Sequence, residues 1–350
     1  MPQDRHQHSE TILVRCPNWT GDIVMATPVL QCLYDNFPER RIVASVRRYA
    51  RGILQDCEWL DRIIPIEDKS FAGMMRTVAN MREEAPETAI LLPNSFRAWF
   101  QVRLSNPHTI YGYRRGLRKY LMTEGPLPRR RNGEIVRLPM TEYYLDICRY
   151  MGLEIKEHYK PTLSVSDQLQ AEGDAILENT GVSPDSTIIG INPGASFGSS
   201  KCWPVEHFAR LAEQIEQQWN STVVLFGSPG EKELTRTITE QSEASIVDTA
   251  PLNIDLEYLK PLIRRCNLLI TNDTGPRHYG TAFDVPTVVL MGPTDPAHTA
   301  SHLDRTAIVW ENVDCAPCYK KICPRDHRCM KRITPERVLE EAQNLLESLN

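Results

Sequence analysis

The chain has 350 residues, 41% of them hydrophobic, enough to bury a large core and more than a single domain usually needs. A formal net charge of -5, from 40 Lys and Arg against 45 Asp and Glu, argues against a general nucleic-acid binder. The polar start MPQDRHQHSE has no apolar signal core behind it, and nowhere do about 18 apolar residues run together, so a soluble cytoplasmic protein is expected.

Short β-rich runs alternate with amphipathic helical stretches. Residues 11–15 (TILVR) predict a strand, 22–36 a helix, 41–46 and 62–66 strands, and 89–92 a fourth strand. The alternation restarts in the second half, with a strand at 188–191, a helix at 204–218, a strand at 222–226, helices at 231–241 and 256–265, and strands at 268–270 and 287–291. A last helix is expected over about 334–349. The pattern is that of an α/β protein with parallel sheets: two Rossmann-like domains, joined through the polar stretch near 160–185, with a cleft between them. There is no short-period repeat and no low-complexity segment.

Charge is unevenly placed. Arg97, Arg103, Arg114, Arg115, Arg118, Lys119, Arg129, Arg130, Arg131 and Arg137 are opposed only by Glu124 and Glu134. Such a run is either a solvated surface or a basic patch for a phosphorylated or membrane-surface partner. Six cysteines, Cys16, Cys32, Cys57, Cys148, Cys202 and Cys266, are scattered as reduced core thiols would be. The other four, Cys315, Cys318, Cys323 and Cys329, form C-x2-C-x4-C-x5-C with His327 among them. That density can hold a structural zinc, form disulfides, or be a loop of free thiols.

Ligands of open parallel sheets gather where strands end and helix N-termini begin. Four polar segments occupy such positions. After the first strand, Gly21 allows a tight turn and Asp22 falls at a helix start, where it is either an N-cap or a general base. After 188–191, the segment Asn192 to Pro204 holds glycines, Ser196 and Lys201 ahead of a helix, suited to phosphate yet matching neither G-x-G-x-x-G nor the Walker pattern. Gly227, Ser228, Gly230 and Glu231 make a third turn. In the fourth, Asp273, Thr274 and Gly275 start a helix with His278 one turn on, either a simple cap or a diphosphate cradle. Three such loops in one domain suggest a nucleotide diphosphate.

The motifs Asn18-Trp19-Thr20-Gly21-Asp22 with Thr27-Pro28, Leu91-Leu92-Pro93-Asn94-Ser95-Phe96, Pro193-Gly194-Ala195 with Lys201-x-Trp203-Pro204, Leu225-Phe226-Gly227-Ser228, and Thr271-Asn272-Asp273-Thr274-Gly275 with His278 occur in that order. Together they resemble the bacterial ADP-heptose:lipopolysaccharide heptosyltransferases of glycosyltransferase family 9, the heptosyltransferase II branch most closely. The resemblance runs from about residue 11 to 348. It implies a GT-B fold with an acceptor domain at 1–165, a nucleotide-sugar domain at 166–333 that includes the cysteine loop 315–329, and a helix at 334–350 crossing back to the first domain.

The resemblance further implies inverting transfer of L-glycero-D-manno-heptose from ADP-heptose to the heptosyl-Kdo2-lipid A inner core of lipopolysaccharide, with no obligatory metal. Asp22 matches the catalytic base, Lys201 the donor-phosphate lysine, and Asp273, Thr274, Gly275 and His278 the donor turn, to which Ser196 and Glu231 are added. Thr20, Asn94, Ser95, Arg97, Arg114, Arg115 and Arg118 are the expected acceptor residues. The anionic acceptor at the inner face of the cytoplasmic membrane gives the arginine run a reason and suggests a peripheral location. Pro276, Arg277, Tyr279 and Gly280 depart from the family's turn, where small or apolar residues are commoner. The other readings are a GT-B enzyme with another nucleotide sugar or acceptor, a nucleotide-sugar epimerase, or a non-catalytic nucleotide-sugar or glycan binder.

Overall fold

The run TILVR forms strand β1 (Thr11–Arg15), buried along its whole length, as a central parallel strand covered on both faces must be. The computed structural model describes residues 10–349 apart from 133, 137 and 300 and the side chains of Arg118, His298 and Thr299. The chain divides into two units, Met1–Ser164 and Val165–Asn350. Arg137 and the Arg118 side chain, both expected in the basic run, therefore lie outside the described part.

In the first unit β1 is followed by α1 (Thr20–Met25), α2 (Thr27–Asn36), β2 (Arg41–Arg47), α3 (Arg51–Leu54), β3 (Arg62–Ile66), α4 (Phe71–Glu83), β4 (Pro86–Leu91), α5 (Phe96–Leu104) and β5 (Thr109–Gly112). A two-residue hairpin, β6 (Arg130–Arg131) with β7 (Glu134–Ile135), and α6 (Met140–Tyr150) complete it. The sheet is wholly parallel in the order β3-β2-β1-β4-β5. Met81 of α4 and Ala98 and Val102 of α5 meet Leu13, Val43, Ile64 and Ala89 in one apolar cluster. The single helix expected over 22–36 is two helices. Pro28 has no N–H to bond back and disfavours helical backbone before it, so the chain breaks at Ala26. The Thr27 hydroxyl caps the break by donating to the Val24 carbonyl at 2.8 Å.

The second unit runs α7 (Asp167–Asn179), β8 (Ile188–Asn192), α8 (Val205–Gln218), β9 (Thr222–Leu225), α9 (Lys232–Gln241), β10 (Ile246–Asp248), α10 (Leu259–Arg264), β11 (Leu268–Asn272), α11 (Arg277–Ala282), β12 (Thr287–Met291), β13 (Thr306–Trp310), α12 (Arg328–Lys331) and α13 (Pro335–Ser348). Its parallel sheet has the order β10-β9-β8-β11-β12-β13, the doubly wound order of dinucleotide-binding folds. Trp203, fully buried, packs among Phe208, Leu225 and Ile333 and donates its indole N–H to the Ile333 carbonyl at 2.9 Å. The last helix, expected to return to the first domain, lays its buried Val338, Leu339, Ala342 and Leu345 on the core of the second unit, against α8, β12 and β13. The period of those four residues gives one apolar stripe. Among the described residues no helix is long and apolar enough to cross a membrane.

Candidate active site

Strand order reverses between β1 and β4 in the first sheet and between β8 and β11 in the second. The loops leaving these strands are where open α/β sheets hold ligands. Both carry an aspartate, in opposite environments.

In the first unit the loop after β1 leads into α1, whose N-cap is Trp19 and whose third residue is Asp22. Asp22 is thus no cap: a capping carboxylate precedes the helix and accepts from its free N–H groups. Among the described residues the Asp22 carboxylate has no hydrogen bond and no ion pair. It is half-buried, and burial pushes its pKa up to about 6. The buried Tyr144 and the exposed Tyr49 lie close enough to feel its charge. Tyr49 also bonds Thr20 and donates to the Asn18 carbonyl. A carboxylate that titrates near neutrality and has no protein partner is equipped to take a proton.

Cationic groups gather elsewhere in this unit, around Asn18 and Asp68. The Asn18 side-chain oxygen accepts from Arg15 Nη2 at 2.9 Å and Arg47 Nε at 3.2 Å. Arg47 also pairs with the buried Asp68 at 3.2 Å, and Arg97 reaches the same carboxylate at 3.7 Å. Arg15 is buried, and burial pulls its pKa down to about 10. Asn94 Nδ2 donates to the Tyr143 hydroxyl at 2.7 Å. Tyr143 stacks on Tyr113, with centroids 3.9 Å apart, and Tyr113 donates to Asp146 at 2.9 Å. The Ser95 hydroxyl caps α5 by accepting from the Ala98 N–H at 3.2 Å, which leaves its O–H free to donate. Arg114 is half-buried and Arg115 exposed, and among the described residues no contact joins either to the Asp22 neighbourhood.

In the second unit side-chain amides brace the two loops. Asn272 Nδ2 donates to the Pro193 carbonyl at 2.6 Å, and its oxygen accepts from the Trp203 N–H at 3.2 Å. Asp273 then collects three donors: Lys201 Nζ at 2.5 Å, Arg277 Nη1 at 2.7 Å and the Thr294 hydroxyl at 2.7 Å. Burial alone would raise the Asp273 carboxyl. Arg277, Lys201 and the Thr294 hydrogen bond outweigh it and hold the group well below the usual carboxylate range. Lys201, expected to face a donor phosphate, is tied to this carboxylate. With Arg277 the trio still carries one net positive charge, available to an anion. His278 is buried, and burial with the adjacent Arg277 charge pulls its pKa down to about 3, so the ring is neutral.

Thr274 and Gly275 sit half-buried at the mouth of the turn, and among the described residues their backbone N–H groups have no acceptor. Ser196 is exposed on the neighbouring loop. Glu231 closes a capping box with Ser228 and abuts Gly194, where a Cβ would stand 1.9 Å from its carboxylate oxygen. A side chain at 194 would have to push that carboxylate aside.

Arg277 is the group that sequence reasoning missed, having been read as a departure in the turn. Its spacing of four from Asp273 on one helix face was the available signal. Thr294 and Arg15 gave less: only a hydroxyl after a strand and a charge closing an apolar run. All ten cysteines are free, so the clustered four form no disulfide.

Residues 74–328 match the profile of Glycosyltransferase family 9 (heptosyltransferase). The chain is 30% identical to lipopolysaccharide heptosyltransferase 2 of Salmonella typhimurium, covering 96% of this chain and 98% of that one. It is 28% identical to lipooligosaccharide heptosyltransferase 2 of Campylobacter jejuni, over 96% and 98%. Among solved structures, the E. coli ADP-heptose lps heptosyltransferase II aligns with a TM-score of 0.79 at 26% identity, over 97% of this chain and 99% of that one. A family 9 glycosyl transferase from Veillonella parvula aligns at 0.81 and 22%, over 97% of both chains. Two doubly wound units, each with its aspartate at the switch point, and a profile match over most of the length agree: the chain belongs to glycosyltransferase family 9 and is a GT-B glycosyltransferase.

Proposed function

We propose that this glycosyltransferase moves L-glycero-D-manno-heptose, with inversion, from ADP-heptose to the heptosyl-Kdo2-lipid A inner core of lipopolysaccharide. The observation that carries the reading is Asp22, a half-buried carboxylate without a partner whose pKa is pushed up to about 6. In the proposed reaction the acceptor hydroxyl gives its proton to Asp22 as its oxygen bonds to C1 of the heptose. The bond from C1 to the diphosphate oxygen breaks on the opposite face, and its electron pair leaves with ADP.

The leaving diphosphate is assigned to the second unit. Lys201 and Arg277 exceed Asp273 by one positive charge, and Thr274, Gly275 and Ser196 supply hydrogen-bond donors around it. Neutral His278 serves as a hydrogen-bonding group there, and Glu231 shapes the Gly194 turn. In this reading no metal is obligatory for the transfer.

The acceptor is assigned to Thr20, Asn94, Ser95, Arg97, Arg114, Arg115 and Arg118, with Arg15 and Arg47 added. Support for a lipid-linked anionic acceptor at the inner face of the cytoplasmic membrane comes from the surface of the first unit. There Phe71, Phe96, Leu117, Tyr120 and Leu127 are exposed, as are Arg103, Arg115, Lys119 and Arg129 to Arg131. Apolar and cationic side chains exposed on one unit suit an anionic bilayer surface.

The test is release of ADP from ADP-heptose with a heptosyl-Kdo2-lipid A acceptor, after brief EDTA treatment, for the native chain and Asp22→Asn. Acceptor-dependent release that falls by about 10²–10⁴-fold in the variant is expected. No release by the native chain would overturn the donor assignment. Equal rates would overturn the role of Asp22, and release without acceptor would point to an epimerase or hydrolase.

A further inference from the structure

Residues 311–327 connect β13 to α12 without helix or strand. A connection of that length is unusual in a compact domain and needs some restraint of its own. Its apolar anchors are few: Val313 is buried, while Ile322 is 74% exposed. Yet it makes a dense set of bonds to both turns that supply Asp273 with partners. The Ser200 N–H donates to the Lys321 carbonyl at 3.1 Å, the Ser200 hydroxyl donates to the Lys320 carbonyl, and His327 Nε2 lies 2.8 Å from the Ser200 carbonyl. Lys201 is the next residue. On the other side the Cys318 and Tyr319 N–H groups donate to the Pro293 carbonyl at 3.0 and 2.8 Å, and Thr294 is next to it. Gly198 has no room for a side chain, since a Cβ would meet the Lys321 carbonyl oxygen at 2.3 Å.

What orders this loop is suggested by its thiols. Cys315, Cys318, Cys323 and Cys329 all line one pocket of about 190 Å³, together with Ser200, Pro293 and His327. All four are free, and the first three lie close enough to Cys329 to act on it electrostatically. His327 is already committed to the Ser200 carbonyl, which leaves four sulfurs as the ligand set. The segment from 315 to 332 carries Lys320, Lys321, Arg325, Arg328, Lys331 and Arg332 against Asp326 alone. A divalent ion with four thiolates is a dianion, and cationic surroundings favour it.

We propose that Cys315, Cys318, Cys323 and Cys329 bind one soft divalent metal ion, zinc or iron, and that this tetrathiolate site pins the 198–201 and 293–294 turns around Asp273. Among the described residues no three such side chains stand at closed ligand geometry. Each thiol has a single torsion before its sulfur, and binding selects the rotamers that face inward. The chemistry is that of tetrahedral sulfur sites, which take zinc or iron.

The experiment uses the full chain expressed in zinc-supplemented and in iron-supplemented medium, with Cys318→Ser/Cys323→Ser and Cys57→Ser beside it. Elemental analysis is expected to give one metal ion per native chain and per Cys57→Ser chain and almost none in the double variant. The two media tell zinc from iron. Cobalt added to the stripped native chain should produce thiolate charge-transfer absorption. Four thiols of the native chain should resist alkylation until a strong chelator is added, a readout that holds even where the double variant folds poorly. Hydrogen exchange in peptides spanning 196–203 should quicken at least tenfold on stripping. Substoichiometric metal from both media with no cobalt band, or alkylation indifferent to chelation, overturns the site. Metal present with unchanged exchange at 196–203 overturns its role as a pin.

Discussion

Asp22→Asn separates the base from the structural reading of the same residue, because the two predict opposite signs of stability change. The folded carboxyl titrates at about 6 against an ordinary 3.8, with burial as the cause. At roughly 1.4 kcal/mol per pH unit, keeping it charged costs the fold up to about 3 kcal/mol. Water reaches a half-buried group and screens part of this, so about 1–2 kcal/mol is expected. A pKa raised in the fold means that the cost is present in full above pH 6. It fades as pH falls from 6 toward 4 and is gone below the unfolded value. Asn keeps the shape and never carries the charge. Asp22→Asn should therefore melt higher than the native chain at pH 7.5, by roughly 2–8 °C, with the gap closing by pH 4. Its turnover should be lost over the same range, and kcat/KM of the native chain should rise with pH through an apparent pKa near 6. The assay is thermal unfolding at several pH values beside ADP release. A carboxylate that merely favours the positive end of α1 would make the variant less stable at pH 7.5. That result, or equal melting at every pH, refutes the reasoning.

Lys201→Met leaves Asp273 with Arg277 and Thr294, so the fold should hold while donor KM rises at least tenfold, checked by initial rates and by calorimetric ADP binding. Arg277→Met strips a fully buried partner from a buried carboxylate and should cost about 3–5 kcal/mol in denaturant unfolding, less if Lys201 compensates. Gly280→Ala places a Cβ 2.2 Å from Thr287 Oγ1, where α11 meets β12. About 1–3 kcal/mol of destabilisation is expected by thermal unfolding, with donor binding weakened because α11 carries Arg277 and His278.

The strands of both sheets are legible in the sequence because parallel strands buried on both faces are short, nearly continuous apolar runs, as in TILVR and TVVLM. β5, β10 and β13 were not, since they are edge strands with partly exposed residues and a mixed pattern. Helices α4, α5 and α6 escaped because arginines and exposed aromatics interrupt their stripes, and α7, within the stretch read as a polar linker, because it buries only Leu169, Gly173 and Leu177. The break between α1 and α2 was in principle readable from Thr27-Pro28. Asp22 was readable as either a cap or a base; what speaks against the cap, its place as the third residue of α1 without a partner among the described residues, has no sequence motif. The bond of Lys201 to Asp273 joins residues 72 apart in the chain, a pairing that only the β8 and β11 adjacency creates.

The two aspartates show how one residue type serves two chemistries. Asp22 and Asp273 each follow the strand at which the order of a parallel sheet reverses, the first half-buried and the second buried. Burial acts on both in the same direction, raising the pKa, so burial cannot be what distinguishes them. The difference lies in the neighbours. Asp273 has two cations and a hydroxyl at 2.5–2.7 Å, which overcome its burial and hold it well below the usual carboxylate range. Asp22 faces two tyrosines and no donor, so burial prevails. Environments that drive like groups apart in this way assign a fixed charge to one and a movable proton to the other. Exchanging the environments should exchange the roles. A cation installed beside Asp22, as in Tyr144→Lys, should pull its pKa back toward 4. The enzyme would keep its carboxylate, shift the lower limb of kcat/KM toward acid, and lose rate at neutral pH because a weaker base accepts the proton. An unshifted limb in that variant would mean that the limb belongs to another group.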